Sequence, residues 1–151
     1  IGNQSILKRD PSASKFRIMK VNSSGVVTLN NLTITGGQTE NATITQAAKN
    51  GGGILNLGTL TVHQSTIESN QTGNGELSNN TTLNVGGQGG GIASFGPLTI
   101  LDSSIAYNRT GNGGVSSNGS GGAGGGISVA GSSALIERST VHSNVVGGSP
   151  T

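Results

Sequence analysis

The sequence predicts an all-β fold, a solenoid of short parallel strands, and three observations carry that reading. Apolar residues alternate with period two in very short runs, which is strand periodicity. Near-copies of one pattern recur 33, 38 and 36 residues apart. More than half of the 151 residues are Gly (28), Ser (20), Thr (16) or Asn (16), a composition of turns and small side chains.

The first copy is degenerate, running from Val27-Thr28-Leu29 to Ile34 with Gly37 at its end. The second opens on Gly51-Gly52-Gly53-Ile54, enters Leu60-Thr61-Val62, reaches Ile67 and closes on Asn70. The third repeats this as Gly89-Gly90-Gly91-Ile92, Leu98-Thr99-Ile100, Ile105 and Asn108. The fourth has Gly124-Gly125-Gly126-Ile127, Ala134-Leu135-Ile136, Val141 and Asn144. No window offers the apolar spacing of an amphipathic helix, and glycines interrupt every candidate. Turn residues such as Gly58-Thr59, Gln64-Ser65, Gly96-Pro97 and Asp102-Ser103 end each run after about three to five residues.

A hairpin meander does not require near-copies at a long fixed period. A coil of three short strands does, with each rung pairing in parallel with the next at about 4.8 Å. About four to five rungs are expected. One rung buries few aliphatics, such as Ile54, Leu60, Val62 and Ile67, too few to offset the ordering of its backbone. No rung should fold alone, so stability must come from bonds between rungs and from like side chains stacked in columns.

Two polar columns fit this logic. Ser65, Ser103 and Ser139 share one turn position, and Asn70, Asn108 and Asn144 share another. Both are expected as structural ladders, Asn being suited to left-handed turn backbone. The insertions that follow open alike, as Asn70-Gln71-Thr72-Gly73-Asn74-Gly75 and Asn108-Arg109-Thr110-Gly111-Asn112-Gly113. They should leave the coil at one corner and stack as a polar fin; they lack the Lys-Ser/Thr ending of a phosphate-binding loop. The chain reads as one β-helix domain over 1–151, with a basic lead-in rung at 1–23, repeats at 24–146 and a tail at 147–151.

Composition narrows the classes further. Without Cys there is no disulfide framework and no thiolate metal site. The apolar runs fall well short of a transmembrane helix. With Ile1 first, the sequence reads as a processed or excised segment without a signal peptide. Eight Lys and Arg against six Asp and Glu make no strong field, so neither a nucleic-acid partner nor membrane insertion is expected. The cations are unevenly placed, however: Lys8, Arg9, Lys15, Arg17 and Lys20 crowd one stretch with Asp10 as their only acid. A charged, solubilising end explains this; a phosphate or anionic-glycan contact is the alternative.

The Gly-Gly-Gly-Ile openings and the aliphatic-x-x-Asn closings (Ile67-Glu68-Ser69-Asn70, Ile105-Ala106-Tyr107-Asn108) resemble the paired repeats of chlamydial polymorphic outer-membrane proteins. They are similar also to the repeat regions of large bacterial surface proteins and autotransporter passengers. The stretch from Leu7-Lys8-Arg9-Asp10-Pro11 through Val27 to Ile34 resembles the beginning of such a region, so the likeness covers nearly the whole chain. One departure is an aliphatic where the chlamydial motif has Phe. The resemblance implies a right-handed parallel β-helix on a cell surface; it says little of activity, since that fold hosts adhesins, lyases and hydrolases.

The acids are Asp10, Glu40, Glu68, Glu76, Asp102 and Glu137, and no two fall on adjacent positions of one face as glycoside hydrolysis requires. There is no Asp-rich calcium loop, and His63 and His142 lie in different columns. No catalytic residue, metal site or cofactor is therefore expected. Asp102 shares a column with Gln64 and Arg138, while Glu68 stacks on Ala106 and His142. Asp102 and Arg138 are expected as an exposed pair between rungs; a lyase-like trio of Asp102, Arg138 and His142 is the alternative. Nine Asn-x-Ser/Thr sequons occur, at Asn3, Asn22, Asn31, Asn41, Asn70, Asn79, Asn80, Asn108 and Asn118. Asn70 and Asn108 are the candidates for glycan attachment. The Thr28/Thr61/Thr99 column ends at Leu135, too short for an ice-binding array. The expected function is an extracellular or cell-surface structural module that self-associates head-to-tail into filaments. The alternative is a carbohydrate-active or glycan-binding adhesin module, with glycans as partners.

Overall fold

The computed structural model describes residues 4–76, 84–115 and 119–149. The sequons at Asn3, Asn79, Asn80 and Asn118, and the tail residues Pro150 and Thr151, lie outside them. The described residues are all-β, with thirteen strands and no helix. After β1 (Ser5–Lys8), a three-strand coil is traced repeatedly. The coils comprise β2 (Met19–Val21), β3 (Val26–Asn30) and β4 (Leu32–Thr35); then β5 (Ile54–Asn56), β6 (Thr59–His63) and β7 (Thr66–Glu68). They continue with β8 (Ile92–Ser94), β9 (Leu98–Leu101) and β10 (Ser104–Ala106), then β11 (Ile127–Val129), β12 (Ala134–Glu137) and β13 (Thr140–His142).

Every third strand pairs in parallel, giving three sheets ordered β1-β4-β7-β10-β13, β2-β5-β8-β11 and β3-β6-β9-β12. The fold is the parallel β-solenoid that the repeats predict. Counted as full turns between equivalent strands the coil makes about three, from Ile34 through Ile67 and Ile105 to Val141, slightly fewer than the rungs expected. Within the lead-in rung, Met19 pairs with Ile54 of the following coil.

Period-two alternation decides which side chains enter the core. Leu60 pairs with Leu98 and Val62 with Ile100, all facing inward and buried, while Thr61 and Thr99 between them face out. Ile34, Ile67 and Ile105 stack as a second column, and Ile54 on Ile92 as a third, each at 0% exposure. The core is thus columns of identical or near-identical aliphatics with no aromatic ring among its buried residues.

The triple glycines have separate tasks. The first of each (Gly51, Gly89, Gly124) has φ of +68°, +65° and +67°, a left-handed turn where a Cβ would meet a carbonyl of the following Ile. The third (Gly53, Gly91, Gly126) leaves space for the amides of Asn70, Asn108 and Asn144, which an added Cβ would approach to 2.9, 2.9 and 2.7 Å. The motif is therefore one turn plus one seat for the Asn column.

Candidate functional site

The asparagine column is built at the corner where the insertions leave the coil. Asn70 and Asn108 are buried, and the Asn108 amide donates to Ile67 O (2.9 Å) as the Asn70 amide does to Ile34 O (3.1 Å). Asn144 repeats the bond to Ile105 O (2.8 Å). Gly37 stands in this column too, its N–H donating to Asn70 Oδ1 (2.9 Å). The left-handed backbone lies one residue earlier than the sequence suggests, at Ser69, Tyr107 and Ser143 (φ +53°, +56° and +52°). Asn occupies its position for the amide and not for turn conformation.

The serine column runs along the next corner. Ser65 N–H donates to Ser103 Oγ (3.1 Å) and Ser103 N–H to Ser139 Oγ (3.0 Å), while Leu32 N–H donates to Ser65 Oγ (3.1 Å). Each hydroxyl donates in turn to the carbonyl two residues back, at His63, Leu101 and Glu137.

A third ladder, of threonines, was not singled out by sequence reasoning. Thr39, Thr72 and Thr110 are buried, and their hydroxyls accept from the N–H groups of Gly73 (2.9 Å), Gly111 (2.9 Å) and Gly147 (2.8 Å), one level on. The same hydroxyls donate to carbonyls of the returning chain at Lys49 (2.6 Å), Gly87 and Gly122 (2.6 Å). They stitch the outgoing and returning arms of each insertion, and the arms themselves stack as Gly75 N–H on Asn112 O (2.8 Å) and Gly86 N–H on Ser120 O (2.9 Å). The signal was present as Gln38-Thr39, Gln71-Thr72 and Arg109-Thr110 at matching offsets, masked by the abundance of Thr.

These ladders overturn the glycan-attachment reading of Asn70 and Asn108. Both side chains are buried with their amide nitrogens and oxygens bonded inside the corner, and Thr72 and Thr110 of the same sequons are buried as well. The folded chain offers neither asparagine to a sugar.

The polar side chains with most chemical potential gather in an open trough of about 760 Å³ along the serine corner. Its floor is the left-handed column Asn31, Gln64, Asp102 and Arg138 (φ +56°, +47°, +48° and +46°). The Arg138 guanidinium grips both oxygens of Asp102, at 2.7 and 3.0 Å, and also reaches Glu137 (3.3 Å). His63 Nε2 lies 3.5 Å from Asp102 Oδ2, and its Nδ1 is 3.0 Å from Asn30 Oδ1. The hydrogen bonds from Arg138 hold the Asp102 carboxyl below its usual pKa and raise that of Arg138 in return.

The lyase-like trio is not assembled. His142 sits on β13 in the column of Glu68 and Ala106, edge-on to Tyr107 at 5.5 Å between ring centres, and the histidine beside Asp102 is His63. What Asp102 and Arg138 form is a bidentate clamp between successive coils. Among the described residues no three His, Asp, Glu or Cys side chains gather in a way that could hold a metal ion. Fold and ladders together define the class, a parallel β-solenoid repeat domain. No family model, curated protein or solved structure matches the chain.

Proposed function

We propose that this chain is a structural building block of a cell-surface or extracellular matrix, extended by head-to-tail stacking of copies. One column carries the reading. Leu7, Ile34, Ile67, Ile105 and Val141 face inward in one sheet, buried in its middle but 39% exposed at Leu7 and 49% at Val141. Ile136 ends a neighbouring column 44% exposed. Seating Leu7 of one copy over Val141 of the next continues both the column and the strand ladder at the spacing of about 4.8 Å already used inside the molecule. Such a contact joins two different surfaces, so it propagates into a filament when its rotation does not close. The surface location rests on the resemblance of the repeats to those of bacterial surface proteins.

Light scattering over about a hundredfold range of concentration tests stacking, with Val141→Pro as the blocked variant. Thr140 N–H donates back to Ser103 O (2.9 Å), so the alternating Val141 N–H faces the open edge and its loss removes no internal bond. Wild type should grow in mass with concentration while the variant stays monomeric. A wild type that is monomeric throughout, or a variant that polymerises equally, defeats the proposal.

A further inference from the structure

The cations of this solenoid are gathered at one end of it. Up to Lys49 the chain carries Lys8, Arg9, Lys15, Arg17, Lys20 and Lys49 against Asp10 and Glu40, a net +4; beyond Lys49 it carries −2. Folding concentrates this charge further. The segment between β4 and Gly51 leaves at the same corner, its outgoing arm bringing Glu40 and its returning arm Lys49 against Lys15, Phe16 and Arg17, around a cavity of about 180 Å³ that Thr39 completes. Thr39 Oγ1 fixes the backbone at Lys49 by its bond to the carbonyl there, and Gln38 N–H fixes Phe16 O at 3.0 Å.

The arginines at this end are held by carbonyls and not by carboxylates. Arg17 donates to Asn50 O (2.6 Å) and Gly51 O (3.3 Å); Arg9 donates to Gly36 O (2.9 Å), Asp10 O (3.0 Å) and Ala13 O (2.9 Å). Asp10, the neighbouring acid, is bound by the N–H and hydroxyl of Ser12. Among the described residues no carboxylate pairs with Arg9, Lys15 or Arg17, whereas Lys49 and Glu40 pair with each other. Carbonyls orient a guanidinium without cancelling its charge, so Arg17 is a fixed positive wall beside the exposed cation of Lys15. Phe16 stands between them 47% exposed, an aromatic face left in water at the most charged place on the molecule.

We propose that this cavity binds an acidic sugar unit, a uronate or sulfated residue of an anionic glycan. Lys15 and Arg17 meet the anionic group, the Phe16 ring stacks on the apolar face of the sugar, and the free lone pairs of Glu40 accept its hydroxyls. A cavity the size of one sugar ring suits a single residue of a longer chain. Glu40 also decides against a nucleic-acid ligand: a carboxylate in the lining accepts hydroxyls but repels successive phosphates, and tight phosphate-backbone binding needs several contacts that this small cluster does not supply.

The test is titration of the whole chain with oligogalacturonate, a neutral malto-oligosaccharide of equal length, and an oligothymidylate of equal charge, at low and at physiological salt. Oligogalacturonate should bind best, and its affinity should fall as salt rises. Lys15→Glu should weaken it about fivefold or more and Phe16→Ala about threefold, Lys15→Arg should retain it, and Arg109→Glu on a later coil should leave it unchanged. Lys15 and Phe16 are both exposed, and unchanged circular dichroism verifies that the variants fold. The proposal fails if oligogalacturonate does not bind, if the Lys15 and Phe16 variants bind it like wild type, or if oligothymidylate or the neutral sugar binds as tightly.

Discussion

Asn108 Oδ1 accepts two hydrogen bonds from Asn70, one from its backbone N–H (3.1 Å) and one from its amide (3.0 Å), across 38 residues of sequence. Asn144 repeats both bonds to Asn108 at 3.0 Å. The corner where the insertions leave has only isolated bridges in place of a strand ladder, so these side chains take over its role of tying coil to coil. A solenoid assembled from coils that cannot fold singly depends on such ties as much as on its aliphatic columns.

Asn108→Ala should therefore cost about 1–3 kcal/mol, because it orphans the Asn70 N–H inside the corner. Asn144→Ala, at a partly exposed position, should cost less. Urea unfolding midpoints compare the two; equal and negligible losses would show that the ladder is incidental.

Expression in a glycosylating secretory host checks the same corner from another side. The soluble, folded chain should carry no sugar on Asn70 or Asn108, since attachment during synthesis would prevent the asparagine from entering the ladder. Peptide mass spectrometry of the folded fraction reads this directly. Occupied Asn70 or Asn108 in folded protein would contradict the buried corner.

The fin should be as intolerant of added atoms as the core. A Cβ at Gly111 would lie 1.9 Å from Gly73 O, a backbone atom that cannot yield, whereas a Cβ at Gly148 meets nothing within 4 Å. Gly111→Ala is expected to abolish cooperative folding or lower the thermal midpoint severely, and Gly148→Ala to be silent. A tolerated Gly111→Ala would mean that the two insertions do not stack.

The strand register was legible because the aliphatics repeat at fixed offsets: the alignment of Leu60-Thr61-Val62 with Leu98-Thr99-Ile100 is the pairing found. The columns of Ser65, Asp102 and Glu68 were legible for the same reason. The fin was not. Its order comes from Gly backbones in direct contact and from hydroxyls of Thr39, Thr72 and Thr110, residues whose spacing is lost in a chain so rich in Gly and Thr. The nearness of His63 to Asp102 was also out of reach, because the two occupy adjacent columns and only side-chain length brings them together. The cavity at Phe16 escaped because Lys49 arrives there on a returning arm far from Lys15 and Arg17 in sequence.

Asp102 offers a test in which sign matters more than size. Its pKa is lowered chiefly by the hydrogen bonds from Arg138, with His63 adding to the effect. A group with a depressed native pKa stabilises the fold above its unfolded value, here 3.8, and that contribution is lost as pH falls through the lower native value. Asp102→Asn should thus be slightly less stable than wild type at neutral pH, and the difference should close as pH falls well below 3.8. Glu40 and Asp10 are depressed in the same direction, by Lys49 and by Ser12, so wild type and variant alike should weaken on acidification while the gap between them reports Asp102 alone. The pair is solvent-exposed, so the neutral-pH gap should be small and shrink further in about 1 M NaCl. Paired thermal melts from neutral to acidic pH, with and without salt, measure it. A gap that persists at acidic pH would show that Asp102 acts through shape or hydrogen bonding and not through its charge.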